Sequence, residues 1–281
     1  MTVVTVHHVR TRLALHPLRS ARPDAGSERP LLLLHGLGAN AATWQLQVAA
    51  FAPRYRVITL DLRGTPASRD RLHPQGPFSI PQFAADARAL LDHLGARPAH
   101  VVGLSLGGMI AFQMAVDDPS YFTSMTIVNS GPAVVPRTFV ERWAIGVRQV
   151  ITRLAGPATF AKILAPKLFP KPEHAALRES FKATLGANDP KAYLATLNAI
   201  LGWTVLDRIG GIALPTLVVT ADHDYTSVAS KEEYLRLMPN ARLAVVADSR
   251  HALPMENPEP FNAVLAAFLR EVEQGGAAAR P

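Results

Sequence analysis

In a chain of 281 residues without a single cysteine, nucleophilic chemistry has to be sought among serine, histidine and carboxylate side chains. One serine is marked by its setting. Gly103-Leu-Ser105-Leu-Gly107 follows the apolar run His100–Leu104 and opens a helical pattern, Leu106–Val116, which makes it a G-x-S-x-G at a strand-to-helix turn. Such a turn holds the serine in a strained backbone conformation and needs small neighbours so that strand and helix can pass closely, a space that Gly103, Gly107 and Gly108 provide. The competing reading, a glycine-rich turn that cradles phosphate or merely packs tightly, leaves the motifs below without a purpose.

A serine hydroxyl is a weak nucleophile at neutral pH and needs a base to take its proton. His251 is the candidate: it lies in Asp248-Ser-Arg-His-Ala-Leu-Pro254, after the last apolar strand and before the final helix, at the sheet edge where Ser105 also sits. His7, His8, His16, His73, His93, His100 and His174 have no such position and read as histidines without a catalytic role. A tetrahedral intermediate further needs preorganised donors for its oxyanion. The Leu106 N–H, at a helix N-terminus, is one; the Leu37 N–H, in His35-Gly36-Leu37-Gly38 after the run Leu31–Leu34, is assigned as the other. His35 reads as a residue that shapes this loop. The acid that orients the base must precede it in the chain, and Leu217-Val-Val-Thr-Ala-Asp222-His-Asp224-Tyr offers two carboxylates, Asp222 and Asp224. Asn129, at the end of the preceding strand, cannot carry the charge.

The elements that must position these groups follow from hydrophobic periodicity. Thr2 to Val9 and Arg12 to Leu18 alternate like an antiparallel hairpin at a sheet edge. Continuous apolar runs at Leu31–Leu34, Val57–Leu60, His100–Leu104, Met125–Val128, Leu217–Val219 and Leu243–Val246 read as strands buried on both faces. Helical stretches such as Ser79–Leu94, Leu106–Val116 and Pro258–Glu273 alternate with them, so the fold class is α/β with a mostly parallel, doubly wound sheet. From Pro132 to Leu206 amphipathic helical patterns follow one another without a strand, and Pro136, Pro157, Pro166, Pro172 and Pro190 fall where helices would start or stop. This predicts an all-helical insertion after the sixth strand: residues 132–206 form a cap over a core of residues 1–131 and 207–281. The tail from Gly275 to Pro281 reads as disordered and without function.

The chain resembles the capped α/β-hydrolases, close to bacterial enol-lactonase and esterase-like members. His35-Gly36-Leu37-Gly38, Asp61-Leu-Arg63-Gly64, Gly103-Leu-Ser105-Leu-Gly107-Gly108 and the His251 loop match that family's landmarks in order, over nearly the whole chain. Two departures are Arg63-Gly-Thr-Pro66-Ala-Ser68 in place of R-G-x-G-x-S, which leaves the shape of one flanking loop open, and Ala221 in place of a glycine after the seventh strand. In the resembling enzymes the acid falls three residues after that small residue, which selects Asp224 and leaves Asp222 to bond backbone amides of its own turn. The resemblance implies a Ser105–His251–Asp224 acyl-enzyme mechanism on small carboxylic esters or lactones. The alternatives are hydrolysis of carbon–carbon bonds flanked by carbonyls and, from another class, a lyase, a cyclase or a ligand receptor on the same scaffold. Haloalkane dehalogenases and epoxide hydrolases carry aspartate where Ser105 stands.

Composition narrows the partners. With 48% hydrophobic and 18% charged residues the chain reads as a soluble globular protein. The net charge of +7 is spread out, with no basic run interleaved with aromatics, so no nucleic-acid partner is expected and a mild preference for anionic substrates is the simpler consequence. No signal peptide or membrane span is read, which makes a cytoplasmic location the expectation, a small ester or lactone the expected partner, and a homodimer compatible with the sequence. No cofactor is expected. Asp222-His-Asp224 lacks the further ligands a metal would need. Asp61 and Arg63 are read as an ion pair or loop bonds, and Trp143, Trp203, Phe139, Phe160 and Phe169 as cap-core residues, one or two of them facing the pocket.

Overall fold

The computed structural model describes residues 2–6, 9–16, 29–66, 77–135 and 139–275. Its centre is an eight-stranded sheet. The strands are β1 (Thr2–Val6), β2 (Val9–His16), β3 (Pro30–Leu34), β4 (Arg56–Leu60), β5 (Ala99–Leu104), β6 (Phe122–Val128), β7 (Thr216–Ala221) and β8 (Ala241–Val246). They lie in the order β1-β2-β4-β3-β5-β6-β7-β8. From β4 to β8 all neighbours are parallel, while β2 pairs antiparallel with β1 and β4. The expected edge hairpin is present, but Val6 already pairs with Val9, so the chain reverses sooner than the division at Val9 and Arg12 implied.

Parallel neighbours require crossovers, and the helices that make them cover both faces. The crossover helices outside the β6–β7 segment are α1 (Gln45–Phe51), α2 (Ile80–His93), α3 (Leu106–Asp117) and α7 (Val228–Leu235), and the short α8 (Leu253–Glu256) and α9 (Pro258–Gly275) follow the last strand. The alternation of side chains along each strand then explains the unbroken apolar runs of β3 to β7, whereas Leu243–Val246, read as buried on both faces, lies in the edge strand β8 and leaves Val245 48% exposed. Leu32, Leu34, Ile58, Leu60, Val101 and Ile127 pack on one face with α2 and α3, whereas Leu31, Leu33, Val57, Val102 and Val128 pack on the other with α9. Helix starts carry the chemistry that the unpaired first amides need: the Ser79 hydroxyl accepts from Gln82 N–H before α2, and Ser227 from Ser230 N–H before α7.

Between β6 and β7 the described residues form helices only, α4 (Phe139–Leu168), α5 (Ala175–Gly186) and α6 (Pro190–Ile200), apart from an isolated bridge between Ala133 and Thr204. The helical span α4 is broken at Gly156, whose φ of 78° and ψ of 167° are not helical, and resumes at Pro157. Pro190 starts α6 and Pro172 a short 3₁₀ turn, as expected. Pro166 does not end its helix, since α4 runs on to Leu168. Pro136 and the tail after Gly275 lie outside the described residues.

The tightest constraint in the sheet is the passage of β5 against α3. A Cβ on Gly103 would stand 2.2 Å from the Gly107 carbonyl oxygen, and one on Gly107 2.1 Å from that of Leu34. Backbone cannot yield as a side-chain end can. Gly103→Ala should therefore lower the free energy of unfolding by about 3 kcal/mol, whereas Gly146→Ala, in open space on α4, should raise it by roughly 0.5–1 kcal/mol. Chemical denaturation of both variants checks this; equal effects would remove the close passage as the reason for glycine at 103.

Candidate active site

Ser105 ends β5 and caps α3 with φ 53° and ψ −114°, a left-handed conformation for a residue with a side chain. Holding it costs about 1–3 kcal/mol, which the surroundings must supply. They do so through four hydrogen bonds: Ser105 N–H donates to the Val128 carbonyl at 2.9 Å, while its own carbonyl accepts from Gly108 N–H, Met109 N–H and, at 2.6 Å, the Ser130 hydroxyl. The loop after β3 comes alongside, since a Cβ on Gly36 would lie 3.4 Å from Ser105 Cβ. His35 anchors that loop. Its Nδ1 donates to the Gly36 carbonyl at 2.8 Å and its Nε2 accepts from Leu62 N–H at 3.1 Å. Burial pushes its imidazole pKa down, which suits this neutral arrangement. Among the described residues the N–H groups of Leu37 and Leu106 have no hydrogen-bond acceptor.

His251 and Asp224 meet across the sheet edge: His251 Nδ1 lies 2.6 Å from Asp224 Oδ1. The carboxylate is buried, with a side chain 1% exposed, and the imidazole 20% exposed. Burial alone would raise the carboxyl's pKa, but the His251 hydrogen bond, the His251 charge and the Lys231 ammonium outweigh it and hold the group below the usual carboxylate range. An ionised carboxylate can only accept, so Nδ1 of His251 carries a hydrogen, and in the neutral ring Nε2 is then the acceptor. Lys231, on α7 and 1% exposed in its side chain, donates to Asp224 Oδ2 at 2.7 Å and also to the Thr226 carbonyl and hydroxyl. The Tyr225 ring stacks on the imidazole, with centroids 4.3 Å apart and planes at 25°.

The loop that carries His251 is fixed from three sides. Asp222 accepts from Asp248 and Ser249 N–H at 2.9 and 3.0 Å, so it binds amides of this neighbouring loop and not, as expected, chiefly those of its own turn. Glu256 accepts from Arg250 N–H at 2.6 Å. Asn129 spans the gap: its Nδ2 donates to the carbonyls of Arg250 and His251, and its Oδ1 accepts from Ala221 N–H at 2.8 Å. Lys231, Tyr225 and Glu256 were not singled out by sequence reasoning, and Asn129 was considered only as an acid it could not be. Asp61 accepts from Ala41 N–H, and Arg63 forms a two-pronged ion pair with Asp86 of α2 at 2.6 Å. Ser68, in the departing loop, lies outside the described residues.

Ser105, Asp224, Tyr225 and His251 line one cavity of about 1070 Å³, bounded by strand-end loops on one side and by the helices between β6 and β7 on the other. Its walls are chiefly apolar, with Leu164, Leu168, Leu177, Phe181 and Leu197 from the helical side. The five aromatics expected in the cap core divide differently. Phe169 is fully buried and Trp203 donates to Gln113, but Phe139 and Trp143 are 80% and 62% exposed, and none of the five lines the cavity. Among the described residues no group of three or more His, Cys, Asp or Glu side chains could hold a metal, and no helix is long and apolar enough to cross a membrane.

The profile of the alpha/beta hydrolase fold matches residues 29–258. The chain belongs to this family. It is 32% identical over 259 residues to a putative carbamate hydrolase, RutD, of Azorhizobium caulinodans, covering 89% of this chain and 94% of that one. It is 28% identical over 252 residues to 3-oxoadipate enol-lactonase 2 of Acinetobacter baylyi, covering 87% and 90% of the two chains. In fold it is similar to the enol-lactonase from Burkholderia xenovorans LB400, with a TM-score of 0.84, 24% identity and coverage of 96% and 100%.

The buried Lys231–Asp224 pair has a measurable consequence. A carboxylate whose pKa is depressed in the fold stabilises the protein above its unfolded value of about 4 and loses that contribution as pH falls through the folded value. Lys231→Met should lower the free energy of unfolding by about 3 kcal/mol at pH 7, the scale for a buried pair deprived of one partner. The gap to the parent protein should narrow as pH drops below about 4. Urea titrations at several pH values check this; a gap that stayed constant would mean that Lys231 does not act through the Asp224 charge.

Proposed function

We propose that this family member is a serine hydrolase that acts on small carboxylic esters or lactones through Ser105, His251 and Asp224. The observation that carries the reading is the 2.6 Å contact between a buried carboxylate and His251 Nδ1, which leaves Nε2 of the ring as a base in the cavity that Ser105 also lines. In the proposed reaction His251 Nε2 takes the Ser105 proton as Oγ attacks the carbonyl carbon, and the negative charge that develops on the carbonyl oxygen is received by the Leu37 and Leu106 N–H groups. Collapse expels the alcohol, which leaves with the proton from His251, or stays tethered when the substrate is a lactone. Water then attacks the acyl-enzyme, giving its proton to His251, and the acid and free Ser105 are regenerated. Asp224 stays ionised throughout and stabilises the imidazolium.

The names of the two relatives support a carbonyl carbon with a leaving group as the shared target, a carbamate in one and an enol-lactone in the other. The helices of residues 132–206 are proposed as a lid whose cavity-facing apolar residues set specificity, because they form the wall opposite the strand ends. The reaction requires no cofactor.

The reading is tested with a fluorophosphonate probe and a panel of a short ester, a lactone, a carbamate and a 1,3-diketone. The probe should attach at Ser105, and Ser105→Ala should be folded but slower by several orders of magnitude, as expected for a member of a non-additive catalytic unit. A folded Ser105→Ala variant with more than about a tenth of the parent turnover would overturn the serine mechanism. Asp224→Asn should cost on the order of 10⁴ in kcat. Asp222→Asn, which loosens the His251 loop without touching the ring, should cost far less. The reverse order would move the role to Asp222.

A further inference from the structure

One charged side chain on the helical side of the cavity has no part in this chemistry. Arg148 projects from α4 into the lining. Its guanidinium lies 4.9 Å from the centroid of Phe160 and 5.5 Å from that of Tyr193, and its Nε and Nη2 donate to the Tyr193 hydroxyl. Among the described residues no carboxylate pairs with it, and Nη1 has no acceptor. The other charges of the lining are differently placed: Asp224, Lys231 and His251 satisfy one another, and Glu233 is exposed on α7.

A half-buried cation in an apolar enclosure is costly unless an anion completes it, and a guanidinium held by two ring faces on one edge presents its other N–H groups in the planar fork that a carboxylate fits. We propose that Arg148 is the anchor for a carboxylate at the far end of the substrate, so that the preferred substrates are esters or lactones whose acyl part ends in a second, ionised carboxyl group. This assignment rests on the acyl-transfer reading for the placing of the other end of the substrate at Ser105. Two further features agree with it. Tyr225 lines the same cavity as Arg148 and stacks on His251, so anchor and base belong to one enclosure. The net charge of +7 draws anions toward the protein. Cavity length then acts as a ruler: an anion fixed at Arg148 positions the reacting carbonyl only for acyl chains of matching length.

The test compares monophenyl esters of glutaric, adipic and suberic acids with the same esters carrying a terminal N-methylamide in place of the carboxylate. The parent protein should favour at least one carboxylate ester by about 100-fold in kcat/KM, the range of a charge-assisted pair. Arg148→Met keeps the apolar packing and should abolish that preference, bringing the carboxylate-to-amide ratio to about one. Arg148→Lys should restore part of it. A second measurement stands apart from turnover: calorimetric binding of adipate and suberate to Ser105→Ala protein, with and without Arg148→Met, should show a loss of at least about tenfold. If no ester is hydrolysed but a dicarboxylate binds in an Arg148-dependent way, the acyl-transfer reading fails and the anchor stands. If esters are hydrolysed with the same carboxylate-to-amide ratio in parent and Arg148→Met, and dicarboxylate binding is equal in both, the anchor is overturned.

Discussion

A buried carboxylate cannot remain charged without partners, and the Asp224 carboxylate is the constraint around which the carboxyl edge of this sheet is organised. One oxygen is given to His251 and the other to Lys231 and the Thr226 hydroxyl, so both sides of the group are occupied. Each partner must then be delivered from its own element, the histidine from the loop after β8 and the lysine from α7. The Asp222, Asn129 and Glu256 contacts follow from this need, because a histidine that donates to a fixed acceptor has to be carried by a loop that does not drift. A carboxylate held by one cation alone would keep the charge but not the direction in which it presents its lone pairs.

The backbone strain of the molecule is concentrated at the same edge. Among the described residues three non-glycine residues have positive φ, Ser105, Asn129 and Asp248, and they stand at or just beyond the ends of β5, β6 and β8. Strain of this kind persists only where several hydrogen bonds over-determine the conformation, and each of these positions is in such a network. Parallel strands bring their carboxyl ends to one side, and the crossovers then start from there. The sharp turns are thus concentrated where polar side chains from distant parts of the sequence are brought together, while strands β3 to β7 are paired on both sides.

How much of this could be read in the sequence depends on whether a group acts through a local pattern or through a partner far along the chain. Leu31–Leu34 and its counterparts up to Leu217–Val219 announced buried parallel strands because both faces are covered, while Leu243–Val246 has the same pattern in a half-exposed edge strand, and Gly103 to Gly108 announced the turn because close backbone passage admits no Cβ. Chain order at strand ends pointed to His251 and left Asp222 and Asp224 open as its partner; the family resemblance selected Asp224, the one that meets the ring. Lys231 was not: flanked by Ser230, Glu232 and Glu233 it reads as part of a solvated helix face, and only the docking of α7 on the sheet buries it. Asn129 was weighed for charge alone, whereas its function in the fold is to satisfy two carbonyls and an amide at once. The helical segment was legible as helices but not as a surface. Trp143 and Phe139 resemble core residues by type, yet the outer face of α4 leaves them exposed.

The two sides of the cavity therefore differ in the kind of constraint they obey. Strand ends cannot shift without breaking ladder hydrogen bonds on both neighbours, so Ser105, Asn129 and the residues after β7 keep a fixed spacing. The helices of residues 132–206 are tied to the sheet through their ends, their packing and a few side-chain bonds, among them Asn188 to the Gly38 carbonyl and Lys171 to Asp248, and α4 is divided at Gly156. Altering the helical side changes the volume and polarity of the enclosure while the Asp224–His251–Lys231 set is held by the core. Arg148 belongs to that adjustable wall: it is fixed by the rings of Phe160 and Tyr193 and by the Tyr193 hydroxyl, all contributed by helices of the same segment. A cation placed this way can change what enters the cavity without disturbing the groups at the strand ends, because no hydrogen bond joins the two sets.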